Sequence, residues 1–104
     1  MLFRSKCFRD ALQYFPGHRA LVYEYAEALI QSRQAEAALK VVESRLTASP
    51  DDHRLYLLQA RANAQLNRRL ATYRAQAEAY ARMGTLTAAI EQLQFGLKIG
   101  RAHV

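Results

Sequence analysis

The sequence has no tryptophan, one cysteine, two prolines and four glycines in 104 residues. A single cysteine, Cys7, excludes an internal disulfide and a cysteine-rich metal site. It is read as a small buried apolar side chain on the first helix. So few glycines leave no glycine-rich phosphate loop, and there is no serine elbow. The only histidines, His18, His53 and His103, do not form the His-Glu-x-x-His spacing that places two zinc ligands on one helical face. His18 and His53 precede helical segments, where they read as solvent-facing helix-start residues. No close pair of carboxylates marks an apolar surface. Glu24 and Glu27 stand three apart, which is ordinary for an exposed stripe. No uncharged stretch approaches the roughly 18 apolar residues that cross a bilayer. The first ten residues carry Arg4, Lys6, Arg9 and Asp10 through what would have to be an apolar core, so they do not form a secretory signal. No alternating run rich in Val, Ile and Thr is present, which leaves helix as the only regular structure expected. A chain of this length forms one domain and buries about two-thirds of its unfolded surface, leaving little room for a broad enzyme cleft. No enzyme activity, no cofactor and no small-molecule substrate are expected of it.

Charge is plentiful but unevenly placed. Residues 1 to 52 hold seven Lys/Arg and seven Asp/Glu, whereas residues 53 to 104 hold eight Lys/Arg and only Glu78 and Glu91. The net +6 therefore belongs to the second half. Twelve of the fifteen cations are arginine, suited to forked contacts with carboxylates and to stacking on aromatic rings. Nucleic acid is the rival partner that such a balance raises, through Arg61, Arg68, Arg69, Arg74 and Arg82. These arginines alternate with alanine and glutamine and no recognition motif accompanies them, so a protein or peptide partner is preferred.

Periodicity organises the rest. Pro16-Gly-His-Arg-Ala-Leu-Val-Tyr and Pro50-Asp-Asp-His-Arg-Leu-Tyr-Leu are near-copies 34 residues apart. Val22, Ala26, Leu29 and Ile30 recur at helical intervals, as do Ala35, Ala38, Leu39, Val42 and Leu46. The short break between them predicts an antiparallel pair. Pro50 stops the second helix, and Asp51 or Asp52 can cap the next, which carries Leu55, Leu58, Ala62 and Leu66 and ends near Asn67. Phe8, Ala11, Leu12 and Phe15 before Pro16 read as the closing helix of an earlier unit. The strings Ala26-Glu-Ala-Leu and Ala77-Glu-Ala-Tyr look equivalent yet lie 51 residues apart, one and a half periods. The segment from about Arg68 to Met83 must then close one unit and open the next. Tyr73, Ala77 and Tyr80 would serve one face, and Ala71, Ala75, Ala79 and Met83 the other. Gly84 supplies the turn, and Ala89, Leu93 and Gly96 the last packing stripe.

A 34-residue period with these small and large positions resembles the tetratricopeptide repeat. Ala26 and Ala38 fall where the family's two helices touch, Leu29 and Val42 where large residues pack, and Tyr56 and Ala60 repeat the pattern. Asn67 stands at the turn that is normally glycine. Arg33 departs from the pattern there, at a cost of about 1 to 2 kcal/mol if left-handed. The resemblance implies an all-α, right-handed solenoid of antiparallel helix pairs with six helices, one of them shared between consecutive repeats. Its divisions would be a closing helix over 1–15 and repeats over 19–50, 51–83 and 68–99, within one domain spanning 1–104. It also implies a concave groove for a partner segment, lined by Tyr23, Glu24, Glu27 and Ile30, then Arg54, Leu57, Leu58 and Arg61, with Arg74, Glu78 and Arg82 from the shared helix. Members that clamp a C-terminal carboxylate use Lys and Asn where this chain has Tyr23 and Glu27, which argues against that ligand. Leu2, Phe3 and Phe8 would stay partly wet, so self-association through the terminal helices is expected as a further property.

The succession Ala26-Glu-Ala-Leu-Ile, Pro50 to Leu58 and Ala77 to Leu93, with its half-period overlap, also resembles the C-terminal repeats of bacterial zinc metalloproteases of the BepA (YfgC) type. That resemblance implies a preceding HExxH protease domain, a periplasmic location and a role in outer-membrane protein quality control, and it transfers no catalytic or metal-binding residue to these positions. An unrelated scaffold protein, cytoplasmic or otherwise, is the alternative owner of the repeats.

Overall fold

The computed structural model describes residues 2–102, with side chains over 4–101. Six helices run in order: α1 Leu2–Tyr14, α2 Arg19–Gln31, α3 Ala35–Ala48, α4 His53–Gln65, α5 Arg69–Arg82 and α6 Leu86–Ala102. No strand occurs among the described residues. None of the described helices is long and apolar enough to cross a membrane. The molecule measures 44 × 27 × 17 Å with a radius of gyration of 14.5 Å. A compact chain of this length would give about 13 Å, so the helices form an elongated stack and not a closed bundle.

The turns explain the path. Two kinds alternate at first. Pro16 and Pro50 interrupt the chain between α1 and α2 and between α3 and α4, and the amides that follow are capped by side chains. His18 Nδ1 accepts from Leu21 N at 3.4 Å, and Asp52 Oδ1 accepts from Arg54 N at 3.1 Å. The other kind reverses the chain through one left-handed residue: Arg33 (φ 64°), Asn67 (φ 59°) and Gly84 (φ 82°). Each is flanked by the same pair of hydrogen bonds back into the helix. Gln34 N donates to Leu29 O at 2.8 Å, Arg68 N to Asn63 O at 2.9 Å and Thr85 N to Tyr80 O at 2.9 Å. These bonds satisfy carbonyls that the helix end leaves open. Positions 33 and 67 are a full period apart, and 67 and 84 half of one. Two hairpin turns of the within-pair kind thus follow one another, and α5, lying between them, packs on both α4 and α6. Helix α5 is the shared helix, and Ala75, Ala77 and Ala79, all buried, let it sit close to neighbours on two sides.

The main core joins α2, α3 and α4: Ala26, Leu29, Ala35, Ala38, Val42, Leu55 and Ala62 are its most enclosed members. Leu55, Val42, Ala26 and Ala38 have no exposed surface. Here the alanines carry the geometry, because only a methyl group lets two helix backbones approach at the crossing while the leucines and valines fill the space beside it.

Several expectations are corrected. Cys7 is exposed, because α1 has α2 as its one helical neighbour and faces it with Ser5, Phe8 and Leu12. Phe8 is half-buried as expected, but Phe15 is 61 % exposed, lying in the turn beyond the end of α1. Met83 and Leu93 are half exposed, not packed, because α6 covers α5 with Ala89 and Gly96 and turns Leu93 outward. The side chains of Leu2 and Phe3, and His103, lie outside the described residues.

Candidate functional site

Helices α2 and α4 hold equivalent places in successive pairs, so their side chains repeat with the 34-residue period along one surface. Between them runs an open groove of ≈ 250 Å³ lined by Tyr23, Glu24 and Glu27 from α2 and Arg54, Leu57, Leu58 and Arg61 from α4. That is below the about 300 to 1,000 Å³ of pockets that enclose a small molecule, and suits a few side chains of a larger partner. Seven of the eleven residues expected along the concave face converge here.

The floor is apolar and the walls are charged. Leu58 is 7 % exposed and the Tyr23 ring 9 %, so both belong to the core as much as to the groove, while Leu57 is half-buried and offers the accessible apolar surface. Arg61 Nη1 pairs with Glu27 Oε1 at 2.5 Å, joining the same position of two successive units with opposite charges. Arg54 lies over the Tyr23 ring with its guanidinium carbon 4.5 Å from the centroid. It is a cation held by a π face and not by a carboxylate. The hydroxyl of Tyr23 donates to Asp52 Oδ2. Burial, first, and then this hydrogen bond and the Asp52 charge raise the phenol above its usual value of 10.0. Asp52 thereby caps α4 and ties it to α2 with one carboxylate. At the other wall Arg4 of α1 approaches Glu24 at 3.4 Å and donates to Gln31 Oε1 at 2.5 Å.

The remaining four expected residues lie elsewhere. Ile30 is 6 % exposed and joins the core, because the last turn of α4 closes over it, Gln65 Nε2 donating to Ile30 O at 2.9 Å. Arg74, Glu78 and Arg82 are on α5 and none of them lines the groove. Arg82 instead clamps the turn between α3 and α4: Nε donates to Pro50 O at 2.9 Å, the guanidinium lies 4.6 Å from the Tyr56 ring centroid, and Glu78 pairs with it from one turn away. Tyr56 faces half a turn away from the groove residues of α4, so this cluster is on a different side. Sequence reasoning missed two residues that shape the groove. Asp52 was legible only as a cap, and Arg4 carried no signal, since its partner Glu24 is twenty positions on.

The basic stripe considered for nucleic acid is largely spoken for. Arg61 and Arg82 are paired as described, and Arg68 holds Glu36 at 3.1 Å. Among the described residues no group of three or more His, Cys, Asp or Glu could hold a metal ion.

Paired antiparallel helices in an open stack, left-handed hairpin turns and a groove between equivalent helices define an α-helical repeat protein. The chain belongs to the tetratricopeptide repeat family, whose model matches residues 6–62. Repeats of this family generally mediate protein–protein interaction. No curated protein and no solved structure matches the chain.

Proposed function

We infer that this chain is a docking module that holds an extended or helical segment of a protein partner in the α2–α4 groove. The observation that carries this is the groove's construction: an accessible Leu57 beside a buried Tyr23 and Leu58, flanked by Glu24 and Glu27 one turn apart on α2 and by Arg54 and Arg61 two turns apart on α4. An apolar side chain of the partner would cover Leu57, and its carboxylates would meet Arg54 and Arg61, which hold only a π face and one half-buried glutamate. Such contacts discriminate by sign and spacing more than they add affinity.

The finer reading makes the module the non-catalytic, client-holding part of a BepA-type zinc metalloprotease working in the periplasm on outer-membrane proteins. Its support is the run from Ala26 to Leu93 with the half-period overlap. An HExxH-bearing domain ahead of the repeats in the same gene sustains this reading, whereas a different domain there assigns the module to an unrelated scaffold.

The direct test is the pair Leu57→Asp and Arg61→Glu, measured as capture of partner from envelope and cytoplasmic extracts. Leu58 is unsuitable because a charge there enters the core. Capture is expected to fall at least tenfold with helicity intact, about 1.4 kcal/mol. The charge-swapped control Glu27→Arg with Arg61→Glu keeps the ion pair while reversing its sense, and is expected to lose capture too. Unchanged capture by both variants means that another surface docks the partner.

A further inference from the structure

Helix α6 carries an apolar stripe that nothing in the described chain covers. Leu86, Ile90, Leu93 and Leu97, preceded by Met83, are between 49 and 64 % exposed. Their spacing, in steps of three and four, is that of the seam of two paired helices. A free solvent face of a stacked helix would be polar. The flank of α6 beside this stripe is occupied: Ala89 and Gly96 are buried, and a Cβ at Gly96 would meet Leu70 Cδ1 at 3.3 Å and Tyr73 Cβ at 3.7 Å. The stripe thus borders the face that α5 takes, is left uncovered by it, and is separate from the groove.

We propose that α6 pairs with α6 of a second copy of this chain, antiparallel about a two-fold axis passing between Ile90 and Leu93. Three observations select that occupant. The stripe is palindromic: steps of four, three and four from Leu86 to Leu97 read the same from either end, so Leu86 meets the partner's Leu97 and Ile90 meets the partner's Leu93. A two-fold interface needs such self-complementarity. Of the positions beside the seam that are not packed on α5, Thr87 and Gln94 are uncharged and Arg101 stands past Leu97, so in an antiparallel pair the two Arg101 side chains lie at opposite ends and do not face each other. Leu86, Ile90, Leu93 and Leu97 each keep half or more of their surface exposed, and covering them in both copies, with Met83 at each end, works toward the about 1,000 Å² that a specific interface must clear. The surface available at the start of the chain is poorer, because Phe8 already lies partly against α2 and under the Arg4 guanidinium.

Sedimentation velocity of the whole chain, run from low to high micromolar concentration, is expected to show the 11.8 kDa species giving way to one of twice the mass. Leu93→Asp is expected to raise the midpoint of that transition at least about tenfold without loss of helical ellipticity, since the residue is already half exposed. Arg61→Glu, in the groove, leaves the transition where it was. Orientation is read with Cys7→Ser as background: Ile90→Cys together with Leu93→Cys forms an intermolecular disulfide, whereas neither single cysteine does so efficiently. A monomer at every concentration overturns the proposal, as does a dimer indifferent to Leu93→Asp or an efficient disulfide from Ile90→Cys alone, which would mean parallel helices.

Discussion

Tyr23 is the residue on which the groove and the stack meet. Its ring closes the core, Arg54 covers its face, and its hydroxyl holds the carboxylate that caps α4. Because folding favours the neutral phenol, the stability it contributes is fully present below the ordinary tyrosine value of about 10 and is lost as the pH rises through its raised value. Tyr23→Phe is therefore expected to cost about 1 kcal/mol at neutral pH, from the lost hydrogen bond, and to unfold with a shallower alkaline decline than the natural chain. Urea titrations at neutral and strongly alkaline pH measure both. An equal decline in the two proteins would remove Tyr23 as its source. The left-handed turns permit a second test at this scale. Arg33→Gly is expected to stabilise by about 0.5 to 1 kcal/mol, the relieved backbone strain less the extra entropy of an unfolded glycine. Gly84→Ala should cost about 1 to 2 kcal/mol, entirely through its φ of 82°, since no atom lies within 4 Å of the added methyl.

Among the elements, α5 is the one whose sequence does two jobs. A helix with a single neighbour needs one apolar stripe, but α5 is embraced by α4 and α6 and meets them with alanine: Ala75, Ala77 and Ala79 are each 4 % exposed or less. Small residues on two faces let both neighbours come close, and the same smallness leaves no void that a larger side chain could fill. Ala79→Leu is expected to destabilise by about 1 to 3 kcal/mol through overpacking, where an equal change at exposed Ala81 is nearly neutral. Thermal melts of the two variants compare them directly, and equal melting temperatures would mean that α5 is less tightly held than its burial indicates. The aromatic pair Tyr73–Phe95, with centroids 5.7 Å apart, and the methylene-free Gly96 make the α5–α6 contact close on one side only. That one-sidedness is why α6 keeps its outer stripe.

Over the whole molecule, stability is graded along the stack. The enclosed core lies in α2, α3 and α4, whereas among the described side chains of α6 just Ala89 and Gly96 are buried. Hydrogen exchange should accordingly show longer protection for amides of α2 and α4 than for those of α6 in the monomer, with α6 gaining protection as concentration rises. Uniform protection from α2 to α6 would contradict a stack whose units hold mainly to their neighbours. The surface ion pairs do not change this ranking: Arg61–Glu27 and Arg68–Glu36 are largely exposed and each is worth about 0 to 1 kcal/mol.

By itself the sequence determined the helices, their order and the half-period step, because these depend on local periodicity, on proline and on the one residue per turn that must turn left-handed. It also brought seven of the expected residues onto one groove, since a 34-residue repeat carries equivalent side chains onto one surface. The rest came from how the helices pack. Ile30, Leu57 and Leu58 look alike in a pattern of apolar residues, and whether each is core or accessible depends on how far the end of α4 closes over α2. Arg82 and Arg61 are equally plain as arginines, yet one clamps a turn and the other guards the groove, because α5 is rotated to serve two neighbours. Burial and partnership between residues twenty to thirty-five positions apart are set by how helices cross, and a crossing is a property of the packed chain that periodicity along one helix does not encode.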